Sequence, residues 1–453
     1  MAASEPRPVA AILIGAGQFG TSLLAQARHV PGLALSVVCD RAIAALRRPL
    51  EEQGLLDDPA PCSSRSEALA ALRLGRTVLV DDAELALELP ADILIEATGE
   101  PAVAGANAAR AIECGLHVAM VSKEADVTVG PALAARAAAA DVVYTPVDGD
   151  QPSLLLRLID RMRGLGFEIV AAGKSSEYDL IYTADDRTVR VLSERHPADG
   201  LDQLLDLGDA PTSTLEQRAA LLSGVRRRGA PDFCEMGIVV NGAGLAVDRP
   251  DLHAPIVRPK ELADVFCPAR DGGLLGRPGV VDVFHALRAA DEASFAGGVF
   301  VVVQGDHRPT FELLREKGHV VSRDGRYLAV YRPAHLLGVE AVGTILRAVR
   351  ERRGTPGCTP RPVVDLAGRA TGTLGSGTRL NLAERHEIDG LEPLLVAAGP
   401  LQGDRPVPFY LAAGRSLARP LEAGALLTAA HLEPIDDDPL ITLRREQDQA
   451  FFA

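Results

Sequence analysis

The sequence lacks the patterns that mark several common classes of protein. Its six cysteines form no Cys-x-x-Cys pair, and its ten histidines form no His-x-x-x-His cluster. We therefore predict no metal site and no redox dithiol. Unpaired cysteines in a chain of this size favour a reducing compartment.

Long apolar runs and an excess of basic residues are also missing. No stretch of about eighteen apolar residues occurs, and no charged leader precedes a long apolar region, so we expect a cytoplasmic protein without a membrane partner. The 47 basic residues are outnumbered by 61 acidic ones, giving a net charge of −14. This charge repels nucleic acid. The partners we expect are a small-molecule substrate and further copies of the same chain.

Apolar runs of strand length alternate with helical stretches in the first third of the chain. This alternation is typical of an α/β fold with a doubly wound parallel sheet, of the Rossmann type, over residues 1-150. The predicted strands are 9–14, 35–39, 93–97, 118–121 and 142–144, and the predicted helices are 19–29, 41–53, 65–73, 102–114 and 131–140.

The remaining sequence predicts two further domains. Residues 151-353 have strands and helices in a less regular order, which indicates a second α/β domain for substrate binding and oligomerisation. We expect its last helix, 335–351, to pack back on the first domain. Gly354–Gly357 has the composition of a linker, and the short strands and turns of 360-453 predict a small β-rich domain.

A glycine-rich loop after the first strand predicts a dinucleotide site. Gly15-x-Gly17-x-x-Gly20 encloses Gln18 and Phe19 and opens a helix. The first glycine permits a tight turn, the second lets the backbone approach a pyrophosphate, and the third lets helix and strand pack closely. The helix N-terminus favours the anion. We therefore predict NAD(P) as the cofactor.

Residues after the next strands extend this predicted site. Asp40 ends the second strand twenty residues past Gly20, which suits the ribose hydroxyls of NAD. The adjacent Arg41 suits the 2′-phosphate of NADP, so both cofactors stay open. Thr98 and Gly99 follow a central strand, where they would border the nicotinamide ribose. An ordinary strand-to-helix turn is the alternative.

Two lysines are the candidates for chemistry. Lys123 follows the next strand and would bind cofactor or orient a substrate oxygen. Lys174 ends the first strand of the second domain, where it would act as acid or base if burial lowers its pKa, or polarise a carbonyl. Exposure on the surface is the alternative for each lysine.

Polar residues at the junction of the two domains are the candidates for substrate binding. Asp148, Asp150 and Gln151 precede a helix, and Asp150 is equally suited to cap it. Glu235 begins an apolar segment, so it either binds a substrate group or lies on the surface. The run Arg226–Arg228 would meet a substrate phosphate, although such a run is more often a solvated face.

These motifs together resemble a known group of enzymes. The chain resembles the homoserine-dehydrogenase-like oxidoreductases with a C-terminal SAF domain, which include the 1-deoxyxylulose-5-phosphate reductoisomerase-like enzymes. The matching segments are IGAGQFGTSLLAQAR (14–28), IEATGEPA (95–102), HVAMVSKEADV (117–127), GDQP (149–152), VAAGK (170–174), GRYLAVYRPAHLLGVE (325–340) and LARPLEAGALLTAAHLEP (417–434).

The resemblance implies an NAD(P)-dependent dehydrogenase or reductase of a small hydroxy or carbonyl compound. It places Lys123 at a lysine position of homoserine dehydrogenases and Lys174 at that of the A-A-G-K segment. Relatives read D-G-T-K-S ahead of an E-M pair, whereas Pro231 stands at that lysine position here. The alternatives are an isomeroreductase of a sugar phosphate and a non-catalytic nicotinamide-nucleotide sensor or scaffold.

Overall fold

The computed structural model describes residues 7–56, 58–434 and 438–453 of the chain. Residues 1–6, at the start of the stretch in which we expect no leader, lie outside the described residues. Three groups of strands follow one another along the sequence and fall within the predicted stretches 1-150, 151-353 and 360-453. The division into domains at these borders remains our proposal.

The N-terminal sheet has seven parallel strands in the order β3-β4-β2-β1-β5-β6-β7, with helices in the connections. The predicted α/β fold with a Rossmann-like sheet is confirmed. Its central strands are buried on both faces, which explains their continuous apolar sequences. The elements are β1 (Val9–Ile14), α1 (Gln18–Ala27), β2 (Leu33–Cys39), α2 (Ile43–Glu52), β3 (Pro59–Pro61), α3 (Arg65–Arg73), β4 (Thr77–Val80), α4 (Ala83–Leu87), β5 (Ile93–Glu96), α5 (Pro101–Glu113), β6 (His117–Met120), α6 (Lys123–Ala139) and β7 (Tyr144–Pro146).

Helix α6 differs most from the prediction for this region. It begins at Lys123, whereas the predicted helix begins at residue 131. Its first turn carries Glu124 and Asp126, which are both buried. The helix is buried nearly all round, so its sequence has no polar face to show the helical period. The helix N-terminus therefore presents Lys123 directly after β6.

The second sheet is mixed and contains most of the remaining strands. The order of its main path is β11-β10-β9-β14-β8-β15-β17-β16, and β14 runs parallel to β8. The elements of this region are α7 (Gln151–Gly164), β8 (Glu168–Ser175), β9 (Leu180–Thr183), β10 (Thr188–Val191), β11 (Glu194–Pro197), α8 (Pro211–Leu221), α9 (Ala230–Ala243), β12 (Ala246–Val247), β13 (Ile256–Val257), α10 (Leu262–Val265), β14 (Val280–Ala289), β15 (Val299–Gln304), α11 (Arg308–Glu316), β16 (Val320–Val321), β17 (Tyr327–Arg332) and α12 (Gly338–Arg350).

Two elements of this region position the site, although the sequence pattern does not reveal them. Helix α9 contains the apolar segment 236–240 in its middle and begins much earlier, at Ala230. It is buried along most of its length because it packs against α6, α7 and the C-terminal β-strands. The apolar sequence of strand β14 is interrupted by two polar residues, Asp282 and His285, and both of them are buried.

Helix α12 packs against α1 of the N-terminal sheet. Ala341, Ile345 and Ala348 share a buried core with Leu23 and Leu24. The contact begins at Gly338, whose N–H donates to Ser22 Oγ at 2.9 Å. A Cβ at Gly338 would lie 2.3 Å from the Phe19 carbonyl oxygen, so only glycine allows this approach.

The C-terminal segment, residues 364–453, contains two small antiparallel pairs and ends in a helix. Its elements are β18 (Val364–Ala370), β19 (Arg379–Leu380), β20 (Leu391–Ala397), β21 (Arg415–Ser416) and α13 (Pro439–Phe452). The short strands agree with the predicted β-rich character, and the terminal helix does not. Helix α13 follows these strands in sequence and packs against α5 and α6, two helices of the N-terminal α/β region.

Arg444 attaches α13 to the C-terminal strands. Its side chain is 1% exposed and forms a bidentate pair with Asp365, at 2.5 and 2.8 Å. It also donates to Asp448 and to the Gly399 carbonyl. All the nitrogens of the guanidinium are therefore satisfied inside the protein.

We expect Arg444→Ala to destabilise the fold by about 3–5 kcal/mol, because it leaves the Asp365 carboxylate buried without its partner. Urea unfolding measures this free energy. Arg445→Ala, at the exposed neighbouring position on α13, serves as the control and should change the free energy of unfolding by less than about 0.5 kcal/mol. Equal stability of the two variants would contradict this account of Arg444.

Candidate active site

A cleft of about 540 Å³ lies where the carboxyl ends of the two sheets face each other. In folds of this class, ligands bind beyond the carboxyl ends of parallel strands. The cleft is lined by residues from all three parts of the chain, among them Gln18, Lys123, Tyr178, Arg226, Arg227, Pro231, Asp232, His285, Arg385, His386 and Glu387.

The glycine-rich loop has the geometry of a pyrophosphate cradle. Gly15 has a φ of +101°, and a Cβ there would lie 2.4 Å from the Ala97 carbonyl oxygen. A Cβ at Gly20 would lie 2.2 Å from the Gly15 carbonyl oxygen, whereas one at Gly17 meets nothing within 4 Å. The first and third glycines therefore serve the fold, and Gly17 faces open space. Helix α1 has no side-chain cap, so its N-terminal N–H groups are free for an anion.

Asp40 and Arg41 lie beside this cradle. The Asp40 carboxylate accepts the N–H groups of Ala16 and Ala42, at 2.9 and 2.8 Å, so each oxygen keeps a lone pair for a ribose hydroxyl. The Arg41 side chain is 87% exposed and lies 3.9 Å from Glu100. The carboxylate suits NAD and the exposed guanidinium suits NADP, so the geometry fits both.

Thr98 and Gly99 form the turn between β5 and α5. Thr98 Oγ1 donates to Glu96 at 2.6 Å, and the Gly99 N–H donates to Ser122 Oγ at 2.8 Å. Burial raises the pKa of Glu96 to about 7. These bonds tie the ends of β5 and β6 together at the edge of the cleft.

A buried cluster of lysines and carboxylates forms the floor of the cleft. The Glu235 carboxylate pairs with Lys123 through one oxygen and with Lys174 through the other. Lys174 Nζ also lies 2.8 Å from Asp232 Oδ1, and Lys123 Nζ lies 4.0 Å from Asp150 Oδ1. Helix α9 supplies both Glu235 and Asp232, whose spacing puts them on one face.

The opposite charges in this cluster stabilise one another. Burial acts to raise the pKa of Glu235, but Lys123 and Lys174 outweigh it and lower the pKa to about 2. Burial likewise acts to lower the pKa of each lysine, and the facing carboxylates raise both above the ordinary value. At neutral pH, Glu235 is therefore ionised and both lysines are protonated.

The pKa of Lys174 is raised, whereas we expected burial to lower it. Its side chain is 1% exposed, and Asp232 and Glu235 more than compensate the loss of hydration. It lies behind Asp232, whereas Lys123 lines the cleft with a side chain that is 20% exposed. The lysine that reaches the cleft is Lys123.

The other predicted substrate residues lie in different places. Asp148 is turned away from the cleft, because it pairs with Arg157 and Arg347 at 2.6 and 2.7 Å. Asp150 caps α7 by accepting the Gln151 N–H at 3.0 Å, and its carboxyl faces Lys123. Gln151 is buried and outside the cleft lining. Both oxygens of Glu235 are taken by lysines, so Glu235 serves the cluster.

Several residues that line or adjoin the cleft were not predicted as site residues from the sequence. Asp232 and His285 lie beside Lys174, and Arg385 and His386 come from the C-terminal segment. The only local signals for them are the three-residue spacing of Asp232 and Glu235 and the polar interruption of β14 at His285. Nothing local indicates that residues 385–387 reach the cleft, since this depends on how the C-terminal segment docks.

Comparison with known proteins identifies a catalytic domain in the middle of the chain. Residues 149–341 match the family described as "Oxidoreductase DRL, catalytic domain". This match confirms the predicted class of enzyme, an oxidoreductase. The comparison with curated protein sequences gave no match.

Solved structures with a similar arrangement include several oxidoreductases. A probable dehydrogenase from Thermotoga maritima is 15% identical, with a TM-score of 0.38 over 77% of this chain and 92% of its own. An oxidoreductase from Agrobacterium radiobacter in complex with NAD+, L-tartaric acid and magnesium is 12% identical, with a TM-score of 0.36 over 78% and 92%. The 1-deoxy-D-xylulose 5-phosphate reductoisomerase from Zymomonas mobilis in complex with NADPH is 20% identical, with a TM-score of 0.28 over 38% and 46%.

Two features are absent from residues 7–56, 58–434 and 438–453. No group of three or more histidine, cysteine or acidic side chains in these ranges is arranged to hold a metal ion. No helix in them has the length and apolar content needed to cross a bilayer.

We expect Glu235→Gln to destabilise the protein by about 3–5 kcal/mol at neutral pH, because two buried lysines lose the charge between them. Since the pKa of Glu235 is lowered from 4.5 to about 2, its contribution is complete above pH 4.5 and disappears as the pH falls through about 2. The difference in unfolding free energy between parent and variant should narrow over that interval. Glu216→Gln, at an exposed position, should show no such pH dependence.

Proposed function

We propose that this protein is an NAD(P)-dependent, homoserine-dehydrogenase-like oxidoreductase that transfers a hydride to or from a small hydroxy or carbonyl compound in the cleft. The observation that carries this proposal is the meeting of Gln18, from the dinucleotide loop, with Lys123 and Asp232 in one cavity. A nucleotide site and a cluster of charged groups thus share one space.

Residues of the N-terminal sheet suit the cofactor. The N–H groups at Gly17 and Gln18 would hold the pyrophosphate, and Asp40 or Arg41 the adenine ribose with or without its phosphate. Thr98 and Gly99 border the nicotinamide ribose. When bound, the nicotinamide ring supplies or accepts the hydride.

Lys123 is the group that we assign to the substrate oxygen. Its ammonium is held protonated by Glu235 and Asp150, so it presents a fixed positive charge to the cleft. Such a charge stabilises the negative charge that develops on a carbonyl oxygen during reduction, and Lys123 can supply the proton that this oxygen takes up. In the opposite direction it stabilises the alkoxide form of the alcohol.

Glu235 and Lys174 support this role from inside the protein. Glu235 orients Lys123 through a charge-assisted hydrogen bond, and Lys174 keeps Glu235 ionised. Asp232 partners Lys174 and also reaches the cleft, where it can accept a hydrogen bond from a substrate hydroxyl. We therefore assign the catalytic contact to Lys123 and the supporting charge to Lys174.

An isomeroreductase acting on a sugar phosphate is the second candidate. It is favoured by the guanidinium groups of Arg226, Arg227 and Arg385, which line the wall of the cleft. Arg226 is paired with Glu387 at 2.9 Å, whereas Arg227 and Arg385 have no carboxylate partner within the part of the chain that the structure describes. Guanidinium groups are well suited to bind a phosphate. The sensor hypothesis has no comparable observation in its favour.

Assembly into a homo-oligomer in the cytoplasm completes the proposal. Large apolar side chains are exposed close together in sequence at Tyr331, Leu336, Leu337 and Val339, around the start of α12. Exposed apolar patches of this kind often form subunit contacts.

We expect Gly17→Ala to weaken the binding of NADH and NADPH by about tenfold or more without lowering Tm, because the added methyl group occupies only the space of the pyrophosphate. Nucleotide fluorescence titration and thermal unfolding measure the two effects. Gly20→Ala is the matched control: its methyl group meets the Gly15 carbonyl oxygen, so it should lower Tm. Unchanged affinity in Gly17→Ala would refute the cofactor site.

We expect Lys123→Met to reduce turnover by roughly a hundredfold or more while cofactor binding is retained, because the positive charge that faces the reacting oxygen is lost. Cofactor oxidation or reduction is followed with a panel of hydroxy and carbonyl compounds, each with and without a phosphate group. Lys317→Met, at an exposed position, should behave as the parent. Turnover of phosphorylated compounds alone would favour the second candidate, and full activity of Lys123→Met would contradict both.

A further inference from the structure

A loop of the C-terminal segment enters the cleft between the other two parts of the chain. Glu384–His386 form a single short turn, and Arg385, His386 and Glu387 all line the cleft. The Arg385 guanidinium carbon lies 5.3 Å from the centre of the Tyr178 ring, which belongs to the second region. This loop is the only part of residues 364–434 and 438–453 that appears in the lining of the cleft.

Glu387 anchors the loop to helix α9. The helix begins after Gly229 without a side-chain cap from its own sequence, and Glu387 Oε1 accepts the Ala230 N–H at 3.0 Å. The other carboxylate oxygen of Glu387 lies 2.9 Å from Arg226. A carboxylate at a helix N-terminus is favourable. The loop is therefore held by the helix that carries Asp232 and Glu235.

The backbone of the loop adopts an unfavourable conformation at two successive positions. Arg385 and His386 have φ values of +58° and +57°, in the left-handed region that side chains with a Cβ rarely adopt. Backbone strain of this kind clusters at binding and active sites.

The His386 imidazole lies against the turn that follows β5. A methyl group on Gly99 would be only 3.2 Å from His386 Cε1, and His386 Nδ1 lies 3.3 Å from Glu124 Oε1. The side chain is 38% exposed, and the cleft accounts for its open side. In a doubly wound sheet, the turn after the strand beside β1 on the side away from β2, here β5, borders the nicotinamide half of a dinucleotide.

We propose that His386 binds the nicotinamide-riboside half of the cofactor, so that the C-terminal segment forms a wall of the cofactor site. The inference rests on the proposed function, since it requires NAD(P) on the glycine-rich loop. His386 lies against the turn after β5, whereas Asp40 follows β2 on the other side of β1. The C-terminal segment thereby acquires a role in binding, in addition to its packing through α13.

The test compares whole dinucleotides with fragments that lack nicotinamide. We expect His386→Ala to weaken NADH and NADPH by about three- to tenfold, the effect of losing one hydrogen bond and its contact. Binding of ADP and 2′-phospho-ADP should be unchanged, because these fragments end at the pyrophosphate and lack the nicotinamide riboside. Calorimetric titration measures all four ligands. Glu384→Ala, two residues earlier at an exposed position, is the control and should bind all of them as the parent does.

The possible results distinguish the role of His386 from the proposed function. Unchanged NADH and NADPH binding by His386→Ala, or an equal loss for the fragments, would overturn the role of His386. Failure of the parent to bind any of the four ligands would instead overturn the proposed function. His386→Gln keeps a donor of similar reach and should recover part of the affinity. Hydrogen exchange of residues 383–387 in the parent should slow when NADPH, but not 2′-phospho-ADP, is added.

Discussion

The ion pairs of Glu235 with Lys123 and Lys174 are the interaction on which the site depends. The two lysines come from different sheets, Lys123 after β6 and Lys174 from β8, and the carboxylate between them comes from α9. Isolated charges at this depth would be prohibitively costly, and each is tolerated only because its partners are in place. The cluster therefore fixes the two sheets and the helix in one arrangement.

In the function that we propose, this arrangement also decides which lysine meets the substrate. Lys174 is enclosed by Asp232 and Glu235, whereas Lys123 keeps one side open to the cleft. A charge that is held by buried partners needs little reorganisation when a substrate oxygen becomes negative, which is the condition for electrostatic catalysis. The buried lysine thus acts on the reaction through the exposed one.

The C-terminal segment belongs to the same structure. Arg444 joins its strands to α13, α13 packs on the N-terminal sheet, and Glu387 caps the helix that carries Glu235. The match to an oxidoreductase catalytic domain covers residues 149–341 only. The cleft nevertheless takes residues from before, within and after that range, so the matched region by itself lacks Gln18, Lys123 and His386.

The sequence by itself determined the features that depend on local pattern. The apolar runs of β1, β5 and β6 revealed the parallel sheet because strands buried on both faces consist mostly of apolar residues. The glycine loop was recognisable because a tight turn and a close backbone approach require glycine at set positions. Only the tertiary structure decided that α9 is one helix, that Lys174 stays protonated, and that residues 385–387 reach the cleft. These facts depend on contacts between residues distant in sequence, where burial and partner charges outweigh the preferences of any single segment.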